Sequence, residues 1–139
     1  MNGQSNMTDF FATIEQLNSL AELDYGKIVE FGKEFGGKQF KDEDMNQLRK
    51  FLDFLKKQEY HSKHRQKDFK HQELLVLKIY LKNSENHAKP NSNLKKAWQD
   101  VVKVMDAALS KIRDGEEGFK DLGSLLKMWE AIIAYHPKK

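Results

Sequence analysis

No cysteine occurs in this chain, which excludes a disulfide framework and any thiolate-ligated metal site. That usage suits a reducing compartment and predicts a cytoplasmic protein. Only two prolines are present, so few positions forbid a helix. No stretch approaches 18 apolar residues, which leaves no candidate membrane span. The first residues lack a charged segment followed by an apolar run, so no cleaved leader is expected. Catalytic motifs are missing as well. No Gly-x-Ser-x-Gly presents a nucleophile, and no glycine-rich loop is built to cradle phosphate.

What the chain does have is charge, unevenly spread. Of 139 residues, 24 are Lys or Arg and 21 are Asp or Glu, a net of +3. Residues 1–36 hold two bases against six acids, residues 37–113 hold 18 against ten, and residues 114–139 hold four against five. The basic middle is what an anionic partner would feel, although Lys-rich helical faces also serve as plain solvated surface. The length suits one helical domain spanning residues 1–139, with residues 1–7 as a loose tail.

Apolar spacing is helical throughout. Thr8 or Asp9 caps a first helix carrying Phe10, Phe11, Ile14, Leu17 and Leu20. Asp24-Tyr25-Gly26 interrupts it, a second segment carries Ile28, Val29, Phe31 and Phe35, and Gly36-Gly37 stops it. Asp42 or Asp44 caps the next helix, whose stripe is Met45, Leu48, Phe51, Leu52 and Leu55. On its polar side Arg49, Asp53 and Lys57 stand four apart, which predicts Arg–Asp and Asp–Lys pairs. Residues 58–67 read as a basic loop. A helix from Asp68 then includes Leu74-Leu75-Val76-Leu77-Lys78-Ile79-Tyr80-Leu81, apolar enough to be surrounded by others. Residues 83–93 form the longest break, and Asn91, Ser92 or Asn93 caps a helix with Trp98, Val101, Val102, Met105, Leu109 and Ile112 inward. Gly115 ends it. The last helix buries residues 119, 122, 125, 126, 129, 132 and 133 and stops at Pro137. The expected fold is all-α, a compact antiparallel bundle of about five helices.

Candidate chemistry is thin. His61, His64 and His71 match no common metal-ligand spacing, and their basic surroundings oppose a divalent cation. Asp42-Glu43-Asp44 and Glu116-Glu117 sit at helix starts, where carboxylates complement the macrodipole. Trp98, Trp129, Tyr60, Tyr80 and Tyr135 are able to stack on bases; Trp98 and Trp129 lie on apolar stripes and read as core, while Tyr60 is the best exposed candidate. No catalytic constellation emerges, and neither a metal nor a cofactor is expected. The remaining signal is the run Arg49, Lys50, Lys56, Lys57, Lys63, Arg65, Lys67 and Lys70, residue types that grip phosphate oxygens without reading sequence.

Three segments from about Lys41 onward resemble one family, the small helical subunit of type III-A CRISPR (Csm) effector complexes. Gln47-Leu48-Arg49-Lys50-Phe51-Leu52 is similar to a family helix, Leu77-Lys78-Ile79-Tyr80 to its buried segment ending in Tyr, and Glu130-Ala131-Ile132-Ile133-Ala134-Tyr135-His136 to its C-terminal helix. The resemblance implies five helices, no catalysis and a role in antiviral defence. It implies partners too: crRNA and target RNA, the other effector subunits, and further copies of the chain stacked head to tail. Arg49 and Lys50 match the family's basic positions. Asn83-Ser84 stand where many relatives carry Gly-Arg, with Lys78, Lys82 or Lys89 as substitutes, and Pro137-Lys138-Lys139 replaces the usual ending. The first forty residues carry no resemblance. The expected function is thus a non-catalytic RNA-binding subunit. The rivals are a helical adaptor docking an acidic partner, a DNA-binding regulator and a metal-dependent enzyme built on the three histidines.

Overall fold

The computed structural model describes residues 3–137, with side chains from Asp9 onward. Six α-helices follow in order: α1 (Gly3–Glu15), α2 (Tyr25–Glu34), α3 (Met45–Ser62), α4 (Val76–His87), α5 (Asn93–Leu109) and α6 (Gly115–Tyr135). No strand occurs among the described residues. The architecture is all-α as expected, but the helix count is six. A 3₁₀ turn at Leu20–Glu22 and extended backbone at Leu23 and Asp24 make two helices of the segment that reads as one interrupted helix. Of the expected tail, residues 1 and 2 lie outside the described residues, and 3–7 form the start of α1. That helix therefore begins upstream of Thr8 and Asp9.

The fold is organised around α6. It packs on α2 and α3, while α5 packs on α1 and α4. Leu122, Leu125, Trp129 and Ile132 of α6 are fully buried, as are Val101, Val104, Met105 and Ala108 of α5. Seven aromatic rings run through this core in one chain of contacts. Phe10, Phe31, Phe35, Phe40, Trp98, Phe51 and Trp129 follow one another at centroid separations of 5.7, 4.8, 6.2, 4.7, 5.6 and 4.9 Å. The last pair is stacked, and the Trp129 indole N–H points at the Met105 sulfur, 3.3 Å away. Such pairs add about 0.5–1.5 kcal/mol each beyond the area they bury.

Gly36-Gly37 does not stop a helix. The chain passes through both glycines as a π-helical turn, Phe35–Gln39, continuous with α2. The reason lies in α6. A Cβ on Gly36 would overlap the Ile132 carbonyl oxygen, and one on Gly32 would sit 2.5 Å from the Ala131 methyl. These glycines let two backbones touch, which is a packing requirement and not a terminator. Asp44 and Ser92 do cap α3 and α5: the Asp44 carboxylate accepts from the Asn46 N–H at 2.9 Å, the Ser92 hydroxyl from the Lys95 N–H at 3.0 Å.

Two further expectations fail nearby. The basic loop begins only after Ser62, because α3 continues through residues 58–62. The apolar run at 74–81 is not enclosed: Leu74, Leu77 and Leu81 are buried, but Leu75, Ile79 and Tyr80 are 38, 59 and 45% exposed. Only Leu74 of that run lies in a 3₁₀ turn (His71–Leu74); the helix starts at Val76, not Asp68, and continues through Asn83 to His87. The break before α5 is correspondingly short. Likewise α5 ends at Leu109, and Gly115, with φ of +72°, opens α6 instead of closing its predecessor.

Candidate nucleic-acid interface

The ten cations expected to meet phosphate are Arg49, Lys50, Lys56, Lys57, Lys63, Arg65, Lys67, Lys78, Lys82 and Lys89, and all are exposed. Nine have no acidic partner among the described residues. Lys82 is the exception, with its ammonium 3.4 Å from the Glu85 carboxylate. The pairs expected of Arg49–Asp53 and Asp53–Lys57 are not formed, so Arg49 and Lys57 keep their charge for a partner. Lys50 reaches only the Gln47 amide oxygen, at 3.3 Å.

The structure sorts these cations into three groups. Leu48, Phe51, Leu52 and Leu55 turn one side of α3 to the core. With 100° per residue, Arg49, Lys50, Lys56 and Lys57 then fall on the opposite side, along with Asp53 and Tyr60. Tyr60 is 70% exposed and meets His61 edge-on. Beyond the helix end, Lys63, Arg65 and Lys67 surround a shallow pocket that also takes in His64, Gln66 and Glu116. The third group, Lys78 and Lys82, stands one turn apart on α4, away from the edge that faces α3.

That edge forms a feature of its own. Because α3 rests on α6 and α4 on α5, the two helices leave a cleft of about 730 Å³ between them. Gln47, Lys50 and Phe54 line it from α3, and Tyr80, Asn83, Ser84 and His87 from α4. Phe51 and Trp98, both buried, form its floor, and Lys89 and Leu94 close the side leading into α5. Thus Lys50 and Lys89, 39 positions apart in sequence, share one rim. Sequence reasoning counts Tyr80 among the rings able to stack on bases but places it in an enclosed run, and it does not foresee that Tyr80, Asn83 and His87 share one exposed helical edge. Their spacing of three and four was visible as a helical stripe, but the segment after Leu81 has no apolar periodicity and reads as a break.

Glu43 joins this cleft to the chain terminus. Its carboxylate accepts from the Trp98 indole N–H at 2.8 Å and from the Asp44 N–H at 2.8 Å, and its backbone oxygen lies 3.0 Å from His136 Nε2. A carbonyl only accepts, so Nε2 of His136 carries a proton. The Tyr135-His136 ending therefore fastens α6 to the start of α3.

The histidines do not converge. No group of three His, Asp or Glu side chains suited to a metal occurs among the described residues. His71 is engaged elsewhere: its backbone N–H donates to the Asp114 carboxylate at 2.9 Å, and its ring Nδ1 lies 2.7 Å from the same oxygen. The backbone bond first, then the ring contact, hold the Asp114 carboxyl below the ordinary carboxylate range. Arg113 is raised, chiefly by its hydrogen bond to the fully buried Asp121, which also accepts from the backbone N–H groups of Ala21 and Arg113. Both arrangements anchor loops to α6 and lie outside the cleft between α3 and α4. Among the described residues no helix is long and apolar enough to cross a membrane.

Comparison with curated proteins gives no match, and neither does comparison with solved structures. A family model does match, and it reaches about twenty residues further toward the N-terminus than the motifs around Arg49, Tyr80 and Tyr135 extend. That model is Csm2 Type III-A, it covers residues 22–139, and the chain belongs to this family of type III-A CRISPR effector subunits.

Proposed function

We propose that this chain is a non-catalytic small subunit that stacks in several copies along a type III-A effector complex and holds crRNA and target RNA by their backbones. One observation carries the reading: nine exposed cations lack an acidic partner among the described residues, and four of them share the outer side of α3. Unpaired exposed charge is what releases counterions on meeting phosphate. From Arg49 to Lys57, α3 presents that charge over about 12 Å, and the loop at 63–67 adds Lys63, Arg65 and Lys67. Repetition of the chain turns weak single-copy contacts into effectively intramolecular ones. Sequence selection is left to guide–target pairing, because backbone contacts carry none.

A salt titration with single-stranded RNA tests this. Binding by the free protein weakens steeply from low to physiological salt. The variant Arg49→Ala/Lys56→Ala/Lys57→Ala shallows the log–log slope by about two units if all three cations meet phosphate. An unchanged slope removes α3 from the interface.

The adaptor reading retains one observation in its favour. Leu75, the residue that precedes α4, and Ile79 on α4 are exposed near Lys78 and Lys82 in sequence, a mixed apolar and basic strip suited to an amphipathic partner surface. Ile79→Asp would disrupt subunit contacts and spare RNA binding under this reading, and would leave both unchanged if α4 is solvent-facing in the complex.

A further inference from the structure

The cleft between α3 and α4 is more than a gap. We propose that it receives one unstacked nucleobase of a single-stranded RNA segment, with Lys50 and Lys89 holding the phosphates on either side. This deepens the RNA-binding reading and rests on it.

The floor and wall are aromatic. Phe54 is half-buried and meets Tyr80 edge-on, with centroids 5.8 Å apart and rings at 86°. Tyr80 is 45% exposed, although an aromatic residue on an apolar helix commonly packs inward. A base stacked on such a ring gains attraction whatever its identity. The size suits a nucleotide, since small-molecule sites span about 300–1,000 Å³.

Polar groups ring the cleft in the pattern a base edge requires. His87 Nδ1 lies 2.7 Å from the Asn83 carbonyl oxygen, so Nδ1 carries a proton and donates. In the neutral ring Nε2 is then left as an acceptor. The Asn83 amide and the Ser84 hydroxyl each offer both donor and acceptor. The Glu43 carboxylate, already fixed by the Trp98 and Asp44 N–H groups, retains lone pairs that suit an exocyclic amino group.

Charge decides between occupants. An apolar side chain of a protein partner needs the aromatic floor but gains nothing from two cations at the rim. A nucleotide uses both, and neither Lys50 nor Lys89 has an acidic partner among the described residues. A base inside a duplex cannot enter, because its faces are already stacked.

The test compares labelled single-stranded RNA with a blunt RNA duplex of equal phosphate number, at one salt concentration, using the full chain. The wild type binds the single strand more tightly than the duplex, and adenosine monophosphate at millimolar concentration competes for the single strand only. Tyr80→Ala weakens single-strand binding by about 5- to 100-fold and leaves duplex binding and its salt slope unchanged, while Tyr80→Phe retains wild-type affinity. Circular dichroism establishes that both variants are folded. If Tyr80→Ala binds the single strand as the wild type does, with duplex binding intact, the base site is refuted and the basic face survives. If duplex binding is absent while single-strand binding keeps its dependence on Tyr80, the basic face falls and the cleft stands. Loss of a subunit contact in Tyr80→Ala with unchanged RNA affinity assigns the cleft to a protein partner and overturns the proposal.

Discussion

Gly36 and Gly123 offer a paired perturbation whose two halves should move stability in opposite directions. Glycine to alanine in a helix gains about 0.5–1 kcal/mol by reducing backbone entropy in the unfolded chain. At Gly123, midway along α6, nothing lies within 4 Å of an added Cβ, so Gly123→Ala should be stabilising by about that amount. At Gly36 the new methyl would overlap the Ile132 carbonyl oxygen and lie 2.9 Å from both the Ile132 carbonyl carbon and its Cα. All three atoms are backbone. No rotamer change relieves the overlap, and α6 itself must move away from the π-helical turn. Overpacking of this kind costs about 1–3 kcal/mol or more, which exceeds the entropic gain. Gly36→Ala should therefore be net destabilising by about 1–2 kcal/mol at least. Urea unfolding followed by far-UV circular dichroism reads both changes as shifts in midpoint at constant slope. Two variants moving in the same direction would refute the claim that α2 and α6 meet backbone to backbone at this point.

Trp129→Ala removes a fully buried ring stacked on Phe51 and should cost about 3–5 kcal/mol in the same assay, whereas a loss under 1 kcal/mol would mean the ring is not in the core. Asp114 gives a pH signature. Its carboxyl is held below the ordinary range by the His71 N–H and ring, so its contribution is complete at neutral pH and is lost as pH falls through the folded-state value. The difference in melting temperature between wild type and Asp114→Asn should therefore shrink on acidification, and a constant difference would sink the assignment. Arg49→Ala/Lys56→Ala/Lys57→Ala should leave the melting temperature almost untouched, because these side chains are exposed and form no ion pair among the described residues. A drop of several degrees would show them to be structural.

The helices whose apolar residues repeat with one period were legible in the sequence. Of the α5 stripe, Trp98, Val101, Met105 and Leu109 are buried and Val102 partly so; of the α6 stripe, Leu122, Leu125, Leu126, Trp129 and Ile132 are buried and Phe119 and Ile133 partly so. Asp44 and Ser92 cap as their types suggest. What failed depended on contacts distant in sequence. Gly36 reads as a stop until Ile132, 96 positions later, is known to press against it. The polar end of α4 has no hydrophobic period to announce it, yet it is held by buried Leu81 and by the Lys95 ammonium on the Glu85 carbonyl at 2.8 Å. The cationic side of α3 was readable residue by residue. The cleft was not, since Lys50 and Lys89 line one space only because α3 leans on α6 and α4 on α5. Proximity of that sort is a property of tertiary packing and leaves no trace in local spacing.

The position of α6 in both chain order and space has a consequence for biosynthesis. The helix that α2 and α3 lean on is the last of the six to be translated. Until it emerges, Phe51 lacks its Trp129 neighbour and the Gly32–Gly36 surface stays open to water. At roughly 5–20 residues per second, the 21 residues of α6 take about one to four seconds to add. A nascent chain on the ribosome therefore carries an open greasy seam for that interval, and chaperone capture during translation competes with closure of the fold.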